Sequence, residues 1–198
     1  IYGPLTNEEL VGRAIKGKRD QFVIATKMQR NLDDAVPGDM STLGEIDGSA
    51  ENVRKTIDGS LERLGIEQID LYYLHRLDPG VPFDEQVGGL AAVKADGIAR
   101  RIGLSNVTLA MLDRALDLVG GPDEGGIAAV QNEFSARYRA DADVLARCSE
   151  RGIAFLPWSP LGGASQAGEL GSRYGAFAEI AEADERGGTS TTFPFVAM

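Results

Sequence analysis

An α/β fold of repeated strand and helix units, with its parallel strands arranged as in a barrel, is what this sequence predicts on three observations. Short β-branched or apolar runs alternate with helical patterns along most of the chain. Strand is followed by helix five times in succession, which implies parallel pairing with right-handed crossovers. Polar residues gather at the ends of the apolar runs: Lys27, His75, Asn106, Asn132 and Ser159. In a βα repeat those ends share one face, and that face is where a barrel builds its active site.

The elements follow in order. Thr6-Asn7-Glu8-Glu9 has the form of a capping box, and Leu10, Val11, Ala14 and Ile15 continue it as an amphipathic helix over residues 6 to 17. Gln21 to Lys27 (QFVIATK) reads as a strand. Residues 28 to 48 carry Pro37, three glycines and several aspartates without a period, and read as a loop over the face where Lys27 emerges. From Ser49, the spacing of Val53, Ile57, Leu61 and Leu64 marks a helix that Gly65 stops. Ile69 to Arg76 (IDLYYLHR) is a buried strand ending on the only histidine, and Asp78-Pro79-Gly80 sets that histidine at the strand's exit.

The alternation continues. Phe83, Val87, Leu90 and Val93 give a helix before Gly97, and Arg101 to Asn106 (RIGLSN) gives a strand. Leu112, Ala115, Leu116 and Val119 mark the next helix, and Ala128 to Asn132 (AAVQN) the next strand. Val144, Leu145 and Cys148 share a helical face that stops at Gly152, before the strand Ile153 to Trp158 (IAFLPW). Beyond Pro160-Leu161-Gly162-Gly163, residues 176 to 186 suit a helix. The 187–198 tail completes no further unit, and disorder or loose packing is expected there.

Composition narrows the function classes. With 198 residues, 43% of them hydrophobic, and no linker, the chain reads as a single domain over 1–198. A net charge of −10 and the lack of a basic run argue against nucleic-acid binding. Cys148 is the only cysteine, which excludes an internal disulfide and a cysteine-based zinc site. No metal site is expected. No apolar segment reaches membrane-span length and no signal peptide opens the chain, so a cytoplasmic protein is expected.

Six separated segments, IYGPLTNEELVGRAIKG, VIATK, IDLYYLHRLDP, IGLSN, AAVQNEFS and FLPWSPLGG, resemble those of the aldo-keto reductases in the same order and at compatible spacing. The resemblance covers residues 1 to about 165 and implies a (β/α)8 TIM-type barrel that binds a nicotinamide cofactor and reduces aldehydes or ketones. This chain would supply that barrel's third to seventh strands, with the first, second and eighth missing. The family's catalytic aspartate would fall ahead of Ile1. A truncated enzyme with impaired activity is therefore expected, its open sheet edges inviting self-association.

The resemblance also implies roles. Tyr2 would give a proton to the substrate oxygen, Lys27 would lower the phenol's pKa, and His75 would hold the carbonyl. Ser105, Asn106 and Gln131 would bond the nicotinamide carboxamide, and Trp158 would lie against the ring. Ser159, Leu161 and Gly162 would bring backbone N–H groups to the pyrophosphate of NADP, with the choice between NADP and NAD left open.

Each residue has an ordinary structural alternative. Tyr2 suits an exposed terminal aromatic, Lys27 a rim lysine, Asn106 and Asn132 turn residues or caps, and Trp158 a core side chain. Glu8, Glu9, Glu182 and Asp184 read as solvated helix faces. Two rival functions stand beside an NADP-linked reductase of small carbonyl compounds. One is a non-catalytic regulatory subunit of the same fold; the other is a barrel enzyme in which Lys27 forms a Schiff base.

Overall fold

β-Branched and aromatic runs too short for helices form a sheet, and the amphipathic stretches between them form the layer that covers it. The computed structural model describes residues 4–28, 30–163 and 175. Its strands are β1 (Ala25–Met28), β2 (Ile69–Leu74), β3 (Ala99–Ser105), β4 (Ile127–Gln131) and β5 (Ala154–Phe155). Helix α1 (Thr6–Ile15) precedes β1, while α2 (Ala50–Leu64), α3 (Phe83–Ala95), α4 (Leu109–Val119) and α5 (Ala142–Glu150) follow β1 to β4 in turn. The strands pair in chain order, every pair parallel. Helices that are neighbours in sequence touch one another along the sheet. This is the arrangement of an incomplete (β/α)8 barrel.

Period two sends alternate strand residues to opposite faces. Tyr72, Leu74, Ile102 and Leu104 are at most 1% exposed and pack with Val53 and Ile57 of α2, Val87 and Leu90 of α3, and Leu112 of α4. The Tyr72 hydroxyl bonds Thr56 of α2 at 3.0 Å, so Tyr73 points the other way, into the concave face. Ser49 caps α2 by accepting from the Asn52 N–H at 3.2 Å, and Gly65, at φ 65, turns the chain out of it.

Several boundaries differ from expectation for local reasons. The capping box at Thr6 does not form: Thr6 is the first helical residue, and Leu5 before it, at φ 67, makes no side-chain cap. Helix α1 ends at Ile15 rather than 17, with Gly17 turning at φ 77. β1 starts at Ala25 rather than 21, because Arg19–Gln21 forms a 3-10 turn and Val23 remains 78% exposed. β5 keeps only two residues, although the Leu156 N–H beyond it still donates to the Val130 carbonyl at 2.8 Å. Pairing resumes at Trp158, whose N–H donates to the Asn132 carbonyl at 2.9 Å. The helix expected at 176–186 and the tail at 187–198 lie outside the described residues.

At the entry end of the sheet one carboxylate holds three segments. Asp70, on β2, is 6% exposed and accepts from the Ile24 N–H at 2.8 Å and from Arg19 at 2.7 Å. Burial works to raise its pKa, but these bonds and the charges of Arg19 and Arg100 outweigh it and hold the carboxyl below the ordinary value. Asp70→Ala leaves a buried N–H and a guanidinium without their acceptor. It should cost about 2–4 kcal/mol in urea unfolding; a loss below about 1 kcal/mol would show that the staple is dispensable.

Candidate functional site at the strand exits

Parallel pairing brings all five strand exits to one face. Lys27 lies one residue before the end of β1, and His75 directly follows β2. The His75 N–H donates to the Met28 carbonyl at 3.2 Å, which ties the two exits together. Both side chains line a cavity of about 130 Å³ that runs along β1 between α1, α2 and the loop over residues 30–49. Glu8, Thr26, Arg30 and Leu43 also border it.

Burial sets the charge states there. It lowers the pKa of the Lys27 ammonium. Burial also lowers His75, and the nearby positive charges of Lys27 and Arg76 add to it, bringing the imidazole to about 4. His75 is therefore neutral at neutral pH, with one ring N–H to donate. The Lys27 ammonium lies 5.9 Å from the centroid of the Tyr73 ring.

Side-chain amides carry the connection across the remaining exits. Asn106, in the left-handed region at φ 59, donates to the His75 carbonyl at 2.9 Å and to the Ser105 hydroxyl at 3.1 Å. Its carbonyl oxygen accepts from the Trp158 indole N–H at 3.0 Å. Ser105 in turn donates to the Gln131 carbonyl at 2.6 Å. Asn132 clamps the loop after β3, accepting from the Val107 N–H at 3.1 Å and donating to its carbonyl at 2.7 Å. Gln131 is a buried residue, and no hydrogen bond engages its side-chain amide among the described residues. Ser159, at φ 50, opens a turn that the Gly162 N–H closes onto the Ser159 carbonyl at 2.8 Å, with Leu161 inside it.

The structure thus brings together Lys27, His75, Ser105, Asn106, Gln131 and Trp158, with the Ser159 to Gly162 turn directly after β5. Tyr2, Glu182 and Asp184 lie outside the described residues. Glu8 is not the solvated residue its helix position suggests: it accepts from Thr26 at 2.6 Å and from Arg63 Nε at 2.8 Å, and its side chain is 19% exposed. The reading of the sequence also missed Arg30 and Tyr73. Arg30 is held by the Gly44 carbonyl at 2.7 Å at the cavity's border. Tyr73 had a visible signal, since it stands two residues before His75 and so shares its face. Among the described residues no cluster of three or more His, Cys, Asp or Glu is placed to hold a metal, and no helix is long and apolar enough to cross a membrane.

Sheet, helix layer and polar exit face together define a βα-barrel protein. A family model, the aldo/keto reductase family, matches residues 1–185. An uncharacterized oxidoreductase of Schizosaccharomyces pombe is 36% identical over 160 residues, covering 81% of this chain and 48% of that protein. Glycine max probable aldo-keto reductase 1 is 38% identical over 167 residues, covering 82% of this chain and 44% of that protein. The chain spans about half the length of these curated relatives. Among solved structures, an aldo-keto reductase from Klebsiella pneumoniae in complex with NADP and acetate superposes with a TM-score of 0.73 at 25% identity, over 96% of this chain and 60% of that one. The holo form of a Bacillus halodurans aldo-keto reductase gives 0.69 at 25% identity, over 82% and 51%. The chain belongs to the aldo-keto reductase family.

The His75 shift has a stability consequence. With a folded pKa of about 4 against an ordinary 6.5, the unfolded chain binds the extra proton between those values. His75 therefore contributes stability above pH 6.5 that is lost as pH falls toward 4. Urea unfolding across that window should show the parent losing stability more steeply than His75→Gln; parallel profiles would contradict the shift.

Proposed function

We propose that this chain carries the carbonyl-reducing site of an NADP-dependent aldo-keto reductase, acting on small aldehydes or ketones. The observation that supports it most strongly is Lys27 and His75 at adjacent strand exits in one cavity, both with pKa values pushed down by burial. The bound dihydronicotinamide supplies the hydride.

The chain's own residues do the rest. His75, neutral, donates a ring N–H to the carbonyl oxygen and stabilises the charge that develops there. Lys27 keeps a positive charge beside the proton donor, so that a phenol with an ordinary pKa of about 10 gives up its proton more readily. Tyr2 is assigned as that donor on the family resemblance alone.

The exit face fits a nicotinamide. The unengaged side-chain amide of Gln131 suits a carboxamide partner. Asn106 has both amide hydrogens committed, so its contribution is the second lone pair of its oxygen, with Ser105 holding the bracket behind it. Trp158, tethered by its indole N–H, offers its face to the ring. Ser159, Leu161 and Gly162 would border the pyrophosphate. The Klebsiella relative, solved with NADP, supports this choice of cofactor.

Among the described residues the outer edges of β1 and β5 have no partner strand. We therefore expect slow turnover by this chain alone and concentration-dependent self-association. The lowered pKa of Lys27 also suits Schiff-base formation with a carbonyl substrate, and borohydride trapping of an aldehyde on Lys27 would favour that reading.

Isotope transfer tests the reductase reading even when turnover is slow. With NADPH deuterated on one face of C4, 4-nitrobenzaldehyde should yield deuterated alcohol from one labelled epimer only. Lys27→Met and His75→Gln should each slow transfer by about 100-fold or more. Unlabelled alcohol from both epimers, or Lys27→Met at the parent rate, would overturn the assignment.

A further inference from the structure

We propose that Tyr73 is a positioning residue for Lys27: the face of its ring holds the Lys27 ammonium at the mouth of the cavity, and Gly103 on the next strand is the vacancy that lets the ring lie there. The proposal rests on the reading of Lys27 as a working cation of the site.

Strand register supports it. Lys27 on β1 pairs with Tyr73 on β2, Tyr73 pairs with Gly103 on β3, and Gly103 pairs with Ala129 on β4. Side-chain bulk along this row is spent on the first two positions and nearly absent on the next two. A Cβ at Gly103 would lie 2.5 Å from Tyr73 Cε1, 2.7 Å from Cδ1 and 2.8 Å from the Ala129 carbonyl oxygen, so any larger residue evicts the ring. The ring is 2% exposed, and Lys27 Nζ lies over it at 5.9 Å from the centroid. A cation over an aromatic face inside about 6 Å gains from the ring quadrupole, and more so when water is excluded.

The Tyr73 hydroxyl points to the same conclusion. It is buried and has no hydrogen-bond partner among the described residues. With no hydrogen bond from the hydroxyl to Lys27, the ring is the part of Tyr73 that interacts with the ammonium. Among the described residues, the other charged or titratable groups bordering this space are Arg63 and Glu8, which bond each other, Arg30, held by the Gly44 carbonyl, and the neutral His75. None of them changes when only the electronics of the ring are altered.

Fluorination of the ring tests this at constant shape. Tyr73 is replaced by phenylalanine, 4-fluorophenylalanine and 3,4,5-trifluorophenylalanine, and the Lys27 pKa is read from its carbon-13 ε resonance in lysine-labelled chain. Phenylalanine should leave the Lys27 pKa and the unfolding midpoint at or above the parent's. Along the fluorinated series the pKa should fall by about 0.5 to 1 unit, because each fluorine weakens the ring's hold on the cation. A flat or rising series would overturn the proposal. The parent chain gives a second readout that needs no variant: the ring current should move the Lys27 ε protons upfield of those of Lys16, Lys55 and Lys94, and coincidence with them would also overturn it. Deuteride transfer in Lys27→Met, measured beside the series, separates the two readings. A falling pKa along the series with Lys27→Met at the parent rate leaves Tyr73 as positioning residue and removes Lys27 from catalysis.

Discussion

Parallel strand pairing is the constraint on which the site depends. Strands running the same way place every exit on one face, so residues separated by 48 positions, Lys27 and His75, become neighbours through a ladder of backbone hydrogen bonds. Where the ladder ends, side-chain amides continue it. Asn106 bonds the His75 carbonyl, Ser105 and Trp158, and Asn132 does the same for Val107. Each such bond contributes about 1 kcal/mol, but their joint effect is geometric, because they fix four of the five exits relative to one another.

The two ends of the sheet use charge in opposite ways. At the entry end, Asp70 is a carboxylate satisfied by a backbone N–H and by arginines, and its lowered pKa records net stabilisation of the charged form. At the exit end, burial disfavours the charged forms of Lys27 and His75, which opposes folding at low pH and prepares both groups to interact with a polar ligand. Barrel folds divide labour in this sense, with stability at one rim and chemistry at the other.

Much of this was legible in the sequence. Periodicity located all five strands and the helices between them, because glycines such as Gly65 and Gly152 mark helix ends that tertiary packing leaves in place. Lys27, His75, Asn106 and Trp158 were visible as polar or flat side chains ending apolar runs. What was hidden depends on partners far along the chain. Glu8 looks solvated until Arg63 and Thr26 reach it. Asn106 reads as a free recognition amide until His75, Ser105 and Trp158 engage it. The capping box failed because Leu5 adopts a left-handed conformation that no local pattern announces. Gly103 is uninformative by itself, and only register shows that its missing side chain is the space Tyr73 occupies.

Nuclear magnetic resonance mapping of NADP on the labelled chain tests most directly whether the exit face is one site. Titration should shift the side-chain amide of Gln131, the indole N–H of Trp158 and the ring of His75 together, with a single affinity, while the N–H signals of Ile69 and Asp70 at the entry end stay in place. Shifts centred on the entry end, or no response from Gln131 and Trp158 at saturating NADP, would contradict it.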